Sequence, residues 1–418
     1  MNQLYTGICY DAFPSPYNPS TANTTCIFFG SDISYNPMEP LWGKSYTSSI
    51  GSSCPNGRND VQTMKHMGVS LIRLYDWDPR NLHTKFLDYC YSLGIKVLVP
   101  VSNYFLKDGF SSRTTLIPNL IKSFSNSSQT NYHPAIAGII IGNEPELNDY
   151  TVQDCIDFTL SWANIEQSSF SGYSKPMIGH PVDFGLYGGE YPAWGFWEPL
   201  LSQLDNITVR DLENRLFLAP QTYNDANYLY VNAGPGTGYV DLTWNKFKKP
   251  ILFTEMGLDR TKPDYLNVVK GQLEGAVTYA TAHPNILLGI CYFQFVDKVW
   301  MQGTSEGSFG AFSHSSNVSC TVTYGNGDFT HWDNGSCINN TLGVDILTVN
   351  PINTIIKNAY GINVVQSTPP NNIVIKEVKG ASINEINELL GTMRISPNNV
   401  FSITFNPLED LYVAFYVN

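Results

Sequence analysis

Short apolar segments alternate with longer amphipathic segments along most of the chain. The apolar segments are rich in Ile, Val and Leu and are bounded by Gly, Pro or polar residues, which is typical of strands buried on both faces. Such strands in regular alternation with helices predict βα units and a parallel sheet. We predict strands at Leu4–Tyr10, Ser70–Tyr75, Lys96–Val101, Ala137–Ile141, Pro176–Pro181, Leu216–Pro220, Ile251–Thr254 and Leu287–Phe295.

The amphipathic segments have helical spacing of their apolar residues, and two of them stop at Gly68 and Gly94, as helices often do. We predict helices at Asn59–Met67, Asn81–Leu93, Thr114–Ser125, Val152–Gln167, Trp194–Leu204, within Ala226–Phe247, at Tyr265–Ala282 and at Asn350–Ala359. Eight strands and eight helices predict an α/β fold of the (β/α)8 TIM-barrel type. Long polar segments follow strands one and eight and enlarge the face that carries the active site in this fold.

The C-terminal end of the chain is predicted to form a separate unit. We expect the catalytic barrel at 1–362, a linker rich in Pro and Asn at 363–371, and a small α+β unit at 372–418. The predicted elements of this unit are a strand at Ile373–Val378, a helix that opens with the capping box Ser382–Glu385, and strands at Val400–Phe405 and Leu411–Val417. Its sequence indicates no chemistry.

Composition and charge exclude several classes of protein. The chain has 418 residues, of which 43% are apolar and 14% charged, the opposite of a disordered composition. A net charge of −12 argues against nucleic acid, which is bound by neutralising phosphates with Lys and Arg, and against anionic membrane surfaces. No apolar run is long enough to cross a bilayer, so we expect no membrane insertion. The aromatic content of 13% suits both a core and stacking on sugar rings.

The sequence is compatible with more than one cellular compartment. The first ten residues have neither a basic n-region nor a long apolar h-region, so the protein is either intracellular or has lost a leader segment. Six Asn-x-Ser/Thr sequons favour a secreted or extracellular protein, with a cytoplasmic one as the alternative. They lie at Asn23, Asn126, Asn206, Asn317, Asn334 and Asn339.

The eight cysteines show no Cys-x-x-Cys spacing of the zinc or redox kind. Cys26 and Cys54, and Cys320 and Cys337, lie in long polar segments and are candidate disulfide pairs. The other four lie in predicted strands or helices and are expected to be buried thiols: Cys9, Cys90, Cys155 and Cys291.

Two glutamates end apolar strands and are the strongest candidates for catalysis. Glu144 follows strand four and Glu255 follows strand seven, so both should lie at the active-site face of the barrel. Two facing carboxyl groups are the machinery of glycoside hydrolysis. We expect the pKa of Glu144 to be raised by the facing negative charge and Glu255 to stay ionised through hydrogen bonds. The alternative for each is a structural carboxylate at a strand end.

Other strand ends supply candidates for substrate binding. Asn143 would hold the substrate's 2-hydroxyl or, alternatively, cap the helix after Pro145. Arg73 lies inside an apolar strand and must be paired, either with a catalytic carboxylate or with Asp76. Tyr223 could donate to Glu255 or pack in the core. The remaining candidates are Tyr10, Tyr75, Asn103 and Gln294 as polar groups lining a cleft, Trp300 as a sugar platform or core residue, and His180, for which a structural role is the commoner alternative.

No metal triad, phosphate-binding loop, dinucleotide-binding glycine pattern or Gly-x-Ser-x-Gly elbow is present in the sequence. We therefore expect neither a cofactor nor a metal, and an oligosaccharide or polysaccharide as the binding partner. The sequence does not indicate an oligomeric state.

Asn143-Glu144 and Glu255, each after its strand, resemble the catalytic pair of clan A glycoside hydrolases. That resemblance implies a (β/α)8-barrel retaining enzyme in which Glu144 is the acid/base and Glu255 the nucleophile. Within the clan, the segments Asn59–Tyr75 and Lys249–Glu255 are most similar to the β-1,3-glucanases of family 17 and the glucanosyltransferases of family 72. The resemblance covers residues 4–360.

Two segments depart from these families. Met256-Gly-Leu-Asp259 stands where family 17 usually has Thr-Gly-Trp-Pro and family 72 has Tyr-Gly, and the Ser20–Gly57 segment is long and unlike either. The departures bear on linkage specificity. The expected activity is therefore retaining hydrolysis of a β-linked polysaccharide, and β-1,3-glucan is the first expected substrate. The alternatives are transglycosylation, another clan A specificity such as that of a mannanase or an exo-acting galactosidase, and a non-catalytic sugar-binding barrel.

Overall fold

Eight parallel strands close into a barrel in the computed structural model of the chain. The barrel strands are β1 (Tyr5–Cys9), β2 (Leu71–Arg73), β3 (Lys96–Val101), β4 (Ile136–Ile141), β5 (Met177–Asp183), β6 (Leu216–Thr222), β7 (Ile251–Met256) and β8 (Leu287–Tyr292). Each strand pairs with its neighbours in chain order, and β8 pairs with β1 to close the sheet. The structure describes residues 4–13, 32–33, 38–107, 112–186, 193–204, 212–298, 301, 303–323, 341–365, 375–380, 400–406 and 411–417.

Helices connect successive strands. The main ones are α1 (Asp60–His66), α2 (Thr84–Ser92), α3 (Arg113–Ser123), α4 (Val152–Ser169), α5 (Ala193–Leu204), α6 (Tyr239–Phe247), α7 (Tyr265–Ala282) and α8 (Ile352–Val365). The predicted (β/α)8 TIM-barrel fold is thereby confirmed. In place of a single helix within residues 226–247, a short helix, Ala226–Tyr230, precedes α6, and the turn between them contains three glycines.

The chain divides into two units, Met1–Asn363 and Val364–Asn418. Helix α8 extends to Val365, beyond the start of the expected linker, and residues 366–371 lie outside the described part. In the second unit the strands Ile375–Gly380, Val400–Asn406 and Leu411–Val417 form an antiparallel sheet with the last strand in the middle. The helix expected after Ser382 lies outside the described residues.

Two layers of apolar side chains surround the barrel strands. The larger layer fills the space between strands and helices, and a smaller cluster fills the barrel interior. The interior cluster includes Leu71, Leu98, Ile140, Phe217 and Leu252, and burying side chains of this size stabilises the fold by about 1.5–3 kcal/mol each. The strand at Gly179 leaves room for Phe217, because a Cβ at Gly179 would lie 2.3 Å from the Phe217 ring.

An irregularity in β7 determines which of its side chains faces the barrel mouth. Leu218 pairs with Ile251 and Gln221 with Glu255, so β7 has one residue more than β6 between the two pairs. An inserted residue reverses the alternation of side chains along a strand and turns a side chain in a new direction. Glu255 therefore lies within β7 and points inward, although the sequence placed it after the strand.

The segments after β1 and β8 are joined by a disulfide between Cys54 and Cys320. The predicted pairings of Cys26 with Cys54 and of Cys320 with Cys337 are therefore wrong. Pairing within each segment was expected because these cysteines are close in sequence, but the barrel places the ends of β1 and β8 side by side. A buried ion pair of Arg58 with Asp345, with Nη1 2.8 Å from Oδ1, joins the same two segments.

These segments also contain short antiparallel strands that the sequence did not indicate, because their composition is polar. Tyr46–Thr47 pairs with Ser53–Cys54, Phe312–Ser313 with Thr348–Val349, and Val318–Thr323 with Thr341–Asp345. The four predicted buried thiols are buried and free, as expected. No described helix combines the length and apolarity needed to cross a membrane.

Candidate active site

The carboxylate of Glu255 accepts four hydrogen bonds at the mouth of the barrel. Its Oε1 accepts from Arg73 Nη1 at 2.8 Å, from the Tyr75 hydroxyl at 2.7 Å and from Gln221 Nε2 at 2.9 Å. Its Oε2 accepts only from the hydroxyl of Tyr223, at 2.8 Å, among the described residues. Hydrogen bonds from charged and neutral donors favour the ionised form of a carboxyl group. Because Oε1 accepts three of these hydrogen bonds and Oε2 accepts one, Oε2 is the oxygen with more freedom to react.

Two of these donors, Arg73 and Gln221, lie at the carboxyl ends of barrel strands and face the barrel interior. Arg73 continues the inward-facing series of Leu71 on β2, and Gln221 continues that of Phe217 and Ala219 on β6. The apolar interior of the barrel therefore ends in a polar layer at the carboxyl ends of the strands, which is where (β/α)8 enzymes carry their active sites.

Arg73 also connects the two glutamates. Its Nη2 donates to Oδ1 of Asn143, and the Gln221 amide donates to the same oxygen at 2.8 Å. The guanidinium thus pairs with Glu255 rather than with Asp76. It also holds the residue that precedes Glu144.

A tight turn after β4 positions Glu144. Gly142 has a φ of +78° and Glu144 a φ of +43°, a conformation that non-glycine residues adopt rarely and that is often found at functional sites. A Cβ on Gly142 would lie 2.8 Å from Oδ1 of Asn103. The Asn103 side-chain amide donates to the carbonyl of Asn143, and its Oδ1 accepts from the backbone N–H of Asn143. The backbone N–H of Glu144 donates to the carbonyl of Pro181 at 2.9 Å.

The carboxyl group of Glu144 has an environment opposite to that of Glu255. Burial, followed by the negative charges of Glu255, Asp183 and Glu146, raises its pKa to about 9. Within the described residues, one donor, Asn143 Nδ2 at 3.5 Å, lies within reach of this group. At neutral pH Glu144 therefore carries a proton. The sequence predicts a raised pKa from the facing carboxylate alone, whereas burial is the larger cause.

Tyr75 and Tyr223 act as donors to Glu255. Burial raises the pKa of Tyr75 well above its ordinary value, and burial followed by the charge of Glu255 does the same for Tyr223. Both phenols therefore keep their protons at neutral pH and can act as donors. Tyr75 is held in turn by the Arg73 guanidinium, whose carbon lies 3.6 Å from its ring centroid.

A cavity of about 490 Å³ opens next to Tyr75 and Asn143, over the ends of β1 to β4 and the start of the segment after β8, and neither glutamate is among its lining residues. Its volume is within the size range of ligand pockets. Its wall includes Tyr75, Asn103 and Asn143, and it also includes Asp11 and Lys298, with Lys298 Nζ 3.8 Å from Asp11 Oδ2.

Two sequence candidates lie between the barrel and its helices rather than in the cleft. The hydroxyl of Tyr10 donates to Asp60 on α1 at 2.8 Å, and Nε2 of His180 lies 2.9 Å from the hydroxyl of Thr159 on α4. Burial lowers the pKa of His180 to about 3, so it is neutral. Both residues directly follow inward-facing positions, Cys9 and Gly179, and hence face outward.

The last two candidates lie after β8. Gln294 is buried and follows Phe293 through a cis peptide bond, and Trp300 lies outside the described residues. In the described part of the chain no group of three or more His, Cys, Asp or Glu side chains has the arrangement of a metal site.

Sequence analysis missed Gln221. Its signal was a polar residue on the inward-facing series of β6, two positions before Tyr223, but the predicted strand ended at Pro220. Gln272 on α7 was also missed; its amide donates to the carbonyls of Asn224 and Gly257 and so fixes the segments that follow β6 and β7.

Comparison with known proteins gives a similarity of fold. No protein-family model matches the chain. No curated protein matches it either. A crystal structure of Gas2 in complex with a small compound superposes with a TM-score of 0.50 at 14% identity and covers 88% of this chain and 66% of that one. The chain shares its fold with Gas2.

Other solved structures in the comparison are of the same protein. Saccharomyces cerevisiae Gas2p in complex with laminaritriose and laminaritetraose has a TM-score of 0.47 at 13% identity, and its complex with laminaripentaose has 0.47 at 16%. Each covers 88% of this chain, and this chain spans 66% of the length of each.

Proposed function

We propose that the chain is a retaining glycoside hydrolase or transglycosylase that acts on a β-linked polysaccharide. The observation that carries the proposal is a pair of carboxyl groups at the barrel mouth in contrasting environments. Glu255 accepts hydrogen bonds from four donors, whereas Glu144 keeps its proton because of burial and neighbouring charge. A protonated acid and a carboxylate held in place as nucleophile are what glycoside cleavage with retention requires.

In the first step Glu255 Oε2 attacks the anomeric carbon while Glu144 gives its proton to the leaving glycosidic oxygen. The bond from the anomeric carbon to that oxygen breaks, a glycosyl ester of Glu255 forms, and the leaving sugar departs as an alcohol. Arg73, Tyr75 and Gln221 keep their bonds to Oε1, so the carboxylate is held in place while Oε2 reacts.

In the second step Glu144, now ionised, takes a proton from the incoming hydroxyl group, which attacks the anomeric carbon and releases Glu255. Water as acceptor completes hydrolysis, and the hydroxyl of a second sugar completes transglycosylation. The two reactions share every described catalytic group, so the proposal covers both and the products distinguish them.

The proposed substrate is β-1,3-glucan. Support for this choice comes from the similarity of Asn59–Tyr75 and Lys249–Glu255 to β-1,3-glucan-active families, and Arg73, Tyr75 and Glu255 in these segments form the site. Asn143 is proposed to contact the 2-hydroxyl of the sugar, since its amide nitrogen lies near Glu144 and its oxygen is held by Arg73 and Gln221, which also bind Glu255.

A retaining mechanism further predicts a separation of about 5–5.5 Å between the carboxyl groups of Glu144 and Glu255, against about 6.5–9.5 Å for an inverting enzyme. A non-catalytic sugar-binding barrel is the less favoured alternative. A binding protein has no need of a proton held on one glutamate near a second glutamate that four donors hold in place.

Residues 1–362 are proposed as the catalytic domain, 363–371 as the linker and 372–418 as an accessory unit. A secreted or extracellular location is also proposed, and the Cys54–Cys320 disulfide supports it because such bonds persist in oxidising compartments.

The experiment that tests the function is product analysis. Wild type, Glu144→Gln and Glu255→Gln are incubated with β-1,3-, β-1,4- and β-1,6-linked oligosaccharides, with laminari-oligosaccharides first, and the products are separated by chromatography. The proposal expects shorter products, or longer ones for transfer, from wild type on the β-1,3-linked series and none from Glu255→Gln. Turnover by Glu255→Gln at the wild-type rate would overturn it.

A further inference from the structure

Two tyrosines, Tyr104 and Tyr150, line the cavity that opens next to Tyr75 and Asn143. Tyr104 follows β3 and Tyr150 follows the turn after β4, and both belong to the wall that also contains Tyr75 and Asn143. Tyr75 bonds to Glu255 and Asn143 precedes Glu144. A polysaccharide bound across the two glutamates would therefore extend into this cavity and reach the tyrosines.

The exposure of Tyr104 is 52%, although it lies in a cavity close to the barrel core. Exposed aromatic residues are common on protein surfaces and by themselves need no explanation. Tyr91 is 54% exposed on α2, where it lines no described cavity near the glutamates, and is an example of an ordinary exposed aromatic residue. Tyr104 differs in its position on a concave wall that also carries polar groups suited to sugar hydroxyls, including Asp76 and Ser102.

Tyr150 is fixed by the same turn that carries Glu144. Its backbone N–H donates to the carbonyl of Pro145 at 3.0 Å, and one side of its ring lies under Lys107, with Nζ 4.6 Å from the ring centroid. Lys107 Nζ in turn donates to the carbonyl of Asp149 at 2.7 Å. Tyr104 lines the same cavity as Tyr150, and burial followed by the charge of Tyr104 raises the pKa of Tyr150.

A pair of tyrosines in a polar cavity has the chemistry of a carbohydrate subsite. A pyranose ring presents C–H groups on its faces and hydroxyls on its edge. Aromatic rings pack against the C–H faces, while phenol and carboxylate groups bind the hydroxyls. A tyrosine makes such contacts at little cost in side-chain entropy, because it has few rotatable bonds.

We propose that Tyr104 and Tyr150 form a carbohydrate-binding subsite that contacts a sugar unit of the substrate away from the cleaved bond. This inference rests on the proposed function and adds residues that position the polysaccharide. Because the subsite lies apart from the reacting atoms, its loss is expected to weaken binding of long substrates while the chemical step on short ones is unchanged.

The test measures binding and turnover over a series of laminari-oligosaccharides from trisaccharide to hexasaccharide. Binding is measured by calorimetry in the Glu255→Gln background, with and without Tyr104→Ala, and kcat and KM are measured in the otherwise wild-type enzyme. Tyr104→Phe keeps the ring, and Tyr91→Ala removes an equally exposed tyrosine elsewhere, so they separate stacking from a general effect of losing an aromatic side chain.

The expected result is an affinity of Tyr104→Ala about tenfold weaker than that of its parent for the longest oligosaccharides, with a small change for the trisaccharide. KM should rise with little change in kcat, and Tyr104→Phe and Tyr91→Ala should resemble wild type. If wild type cleaves the series and Tyr104→Ala binds it like Tyr91→Ala, the subsite is overturned and the proposed function stands. If wild type neither binds nor cleaves any member, both are overturned.

Discussion

Arg73 and Glu255 form a buried ion pair at the mouth of the barrel, with Nη1 of the arginine 2.8 Å from Oε1 of the glutamate. The arginine side chain is fully buried and the glutamate side chain is 6% exposed. A buried charge of this kind is tolerated only when it is paired and hydrogen-bonded. Since the second arm of the guanidinium holds Asn143, one cation at the end of β2 fixes the turn after β4 and a side chain of β7 in a common geometry.

Replacing Arg73 by lysine tests that geometry. Lysine keeps the charge but has no planar fork, so it cannot hold Glu255 and Asn143 together. We expect kcat/KM of Arg73→Lys to fall about 100-fold, since small displacements of catalytic groups have effects of that size. Kinetics on the preferred oligosaccharide and urea unfolding are measured together. Arg80→Lys, at a partly exposed pair with Asp78, is the control, and equal activity of the two variants would contradict the role of Arg73.

The pH dependence of activity should reflect the raised pKa of Glu144. The acid must be protonated, so kcat/KM should persist well above the ordinary carboxyl range and decline as the pH rises through about 9. Glu146 is one of the charges that raise this pKa, and Glu146→Gln keeps the acceptor for the N–H of Asp183 while removing the charge.

Glu146→Gln is therefore expected to move the alkaline limb of the kcat/KM profile to lower pH. Glu274→Gln, which removes a half-exposed carboxylate on α7, should leave the limb where it is. A profile of Glu146→Gln that coincides with that of wild type would show that Glu146 does not act on Glu144.

The same shift predicts an unusual dependence of stability on pH. The pKa of Glu144 is raised from 4.5 to about 9 on folding, so the unfolded chain loses this proton at a lower pH than the folded protein. Its contribution to stability is present in full below pH 4.5 and is lost as the pH rises towards about 9. Glu144→Gln has no such proton and should be more stable than wild type at neutral pH, by roughly 1–3 kcal/mol.

Urea unfolding at several pH values measures this difference. The gain of Glu144→Gln over wild type should grow from acid to mildly alkaline pH and be small in acid. A variant less stable than wild type at neutral pH would contradict the account of Glu144 as a buried acid that costs stability.

The Cys54–Cys320 disulfide should stabilise the enlarged active-site face. It joins segments 266 residues apart in sequence, and disulfides closing long loops typically contribute about 2–4 kcal/mol. The double variant Cys54→Ser/Cys320→Ser should unfold at a lower urea concentration, and reductant should lower the midpoint of wild type at least as far. An unchanged midpoint in the double variant would contradict the prediction.

Much of the architecture could be predicted because it depends on local patterns. The limits of β3 and α7 agree with the sequence prediction, and most other elements differ by a few residues at their ends. Glu144 could be placed at the active-site face because β4 is a long apolar segment that stops before it. Alternation along β1 and β5 could also have excluded Tyr10 and His180 from the cleft, since their neighbours Cys9 and Gly179 face the barrel interior.

Other features depend on the closed sheet and could not be read from one segment. Glu255 faces inward only because β7 contains an extra residue relative to its neighbours, and that irregularity is a property of pairing. Gln221 becomes a partner of both Glu255 and Asn143 only when β6 lies beside β7. The disulfide depends on β8 returning to β1, a contact between distant parts of the chain.

The most direct test of the account is to trap the glycosyl-enzyme. The protein is incubated with an activated 2-deoxy-2-fluoro β-glucoside or its laminaribiose analogue, which slows the second step, and is then examined by intact mass and peptide mapping. The account predicts a mass increase of one glycosyl group on Glu255, formed by wild type and absent in Glu255→Gln. A glycosyl group on another residue, or turnover to a product of inverted anomeric configuration with no adduct, would contradict the assignment of Glu255 as nucleophile in a retaining mechanism.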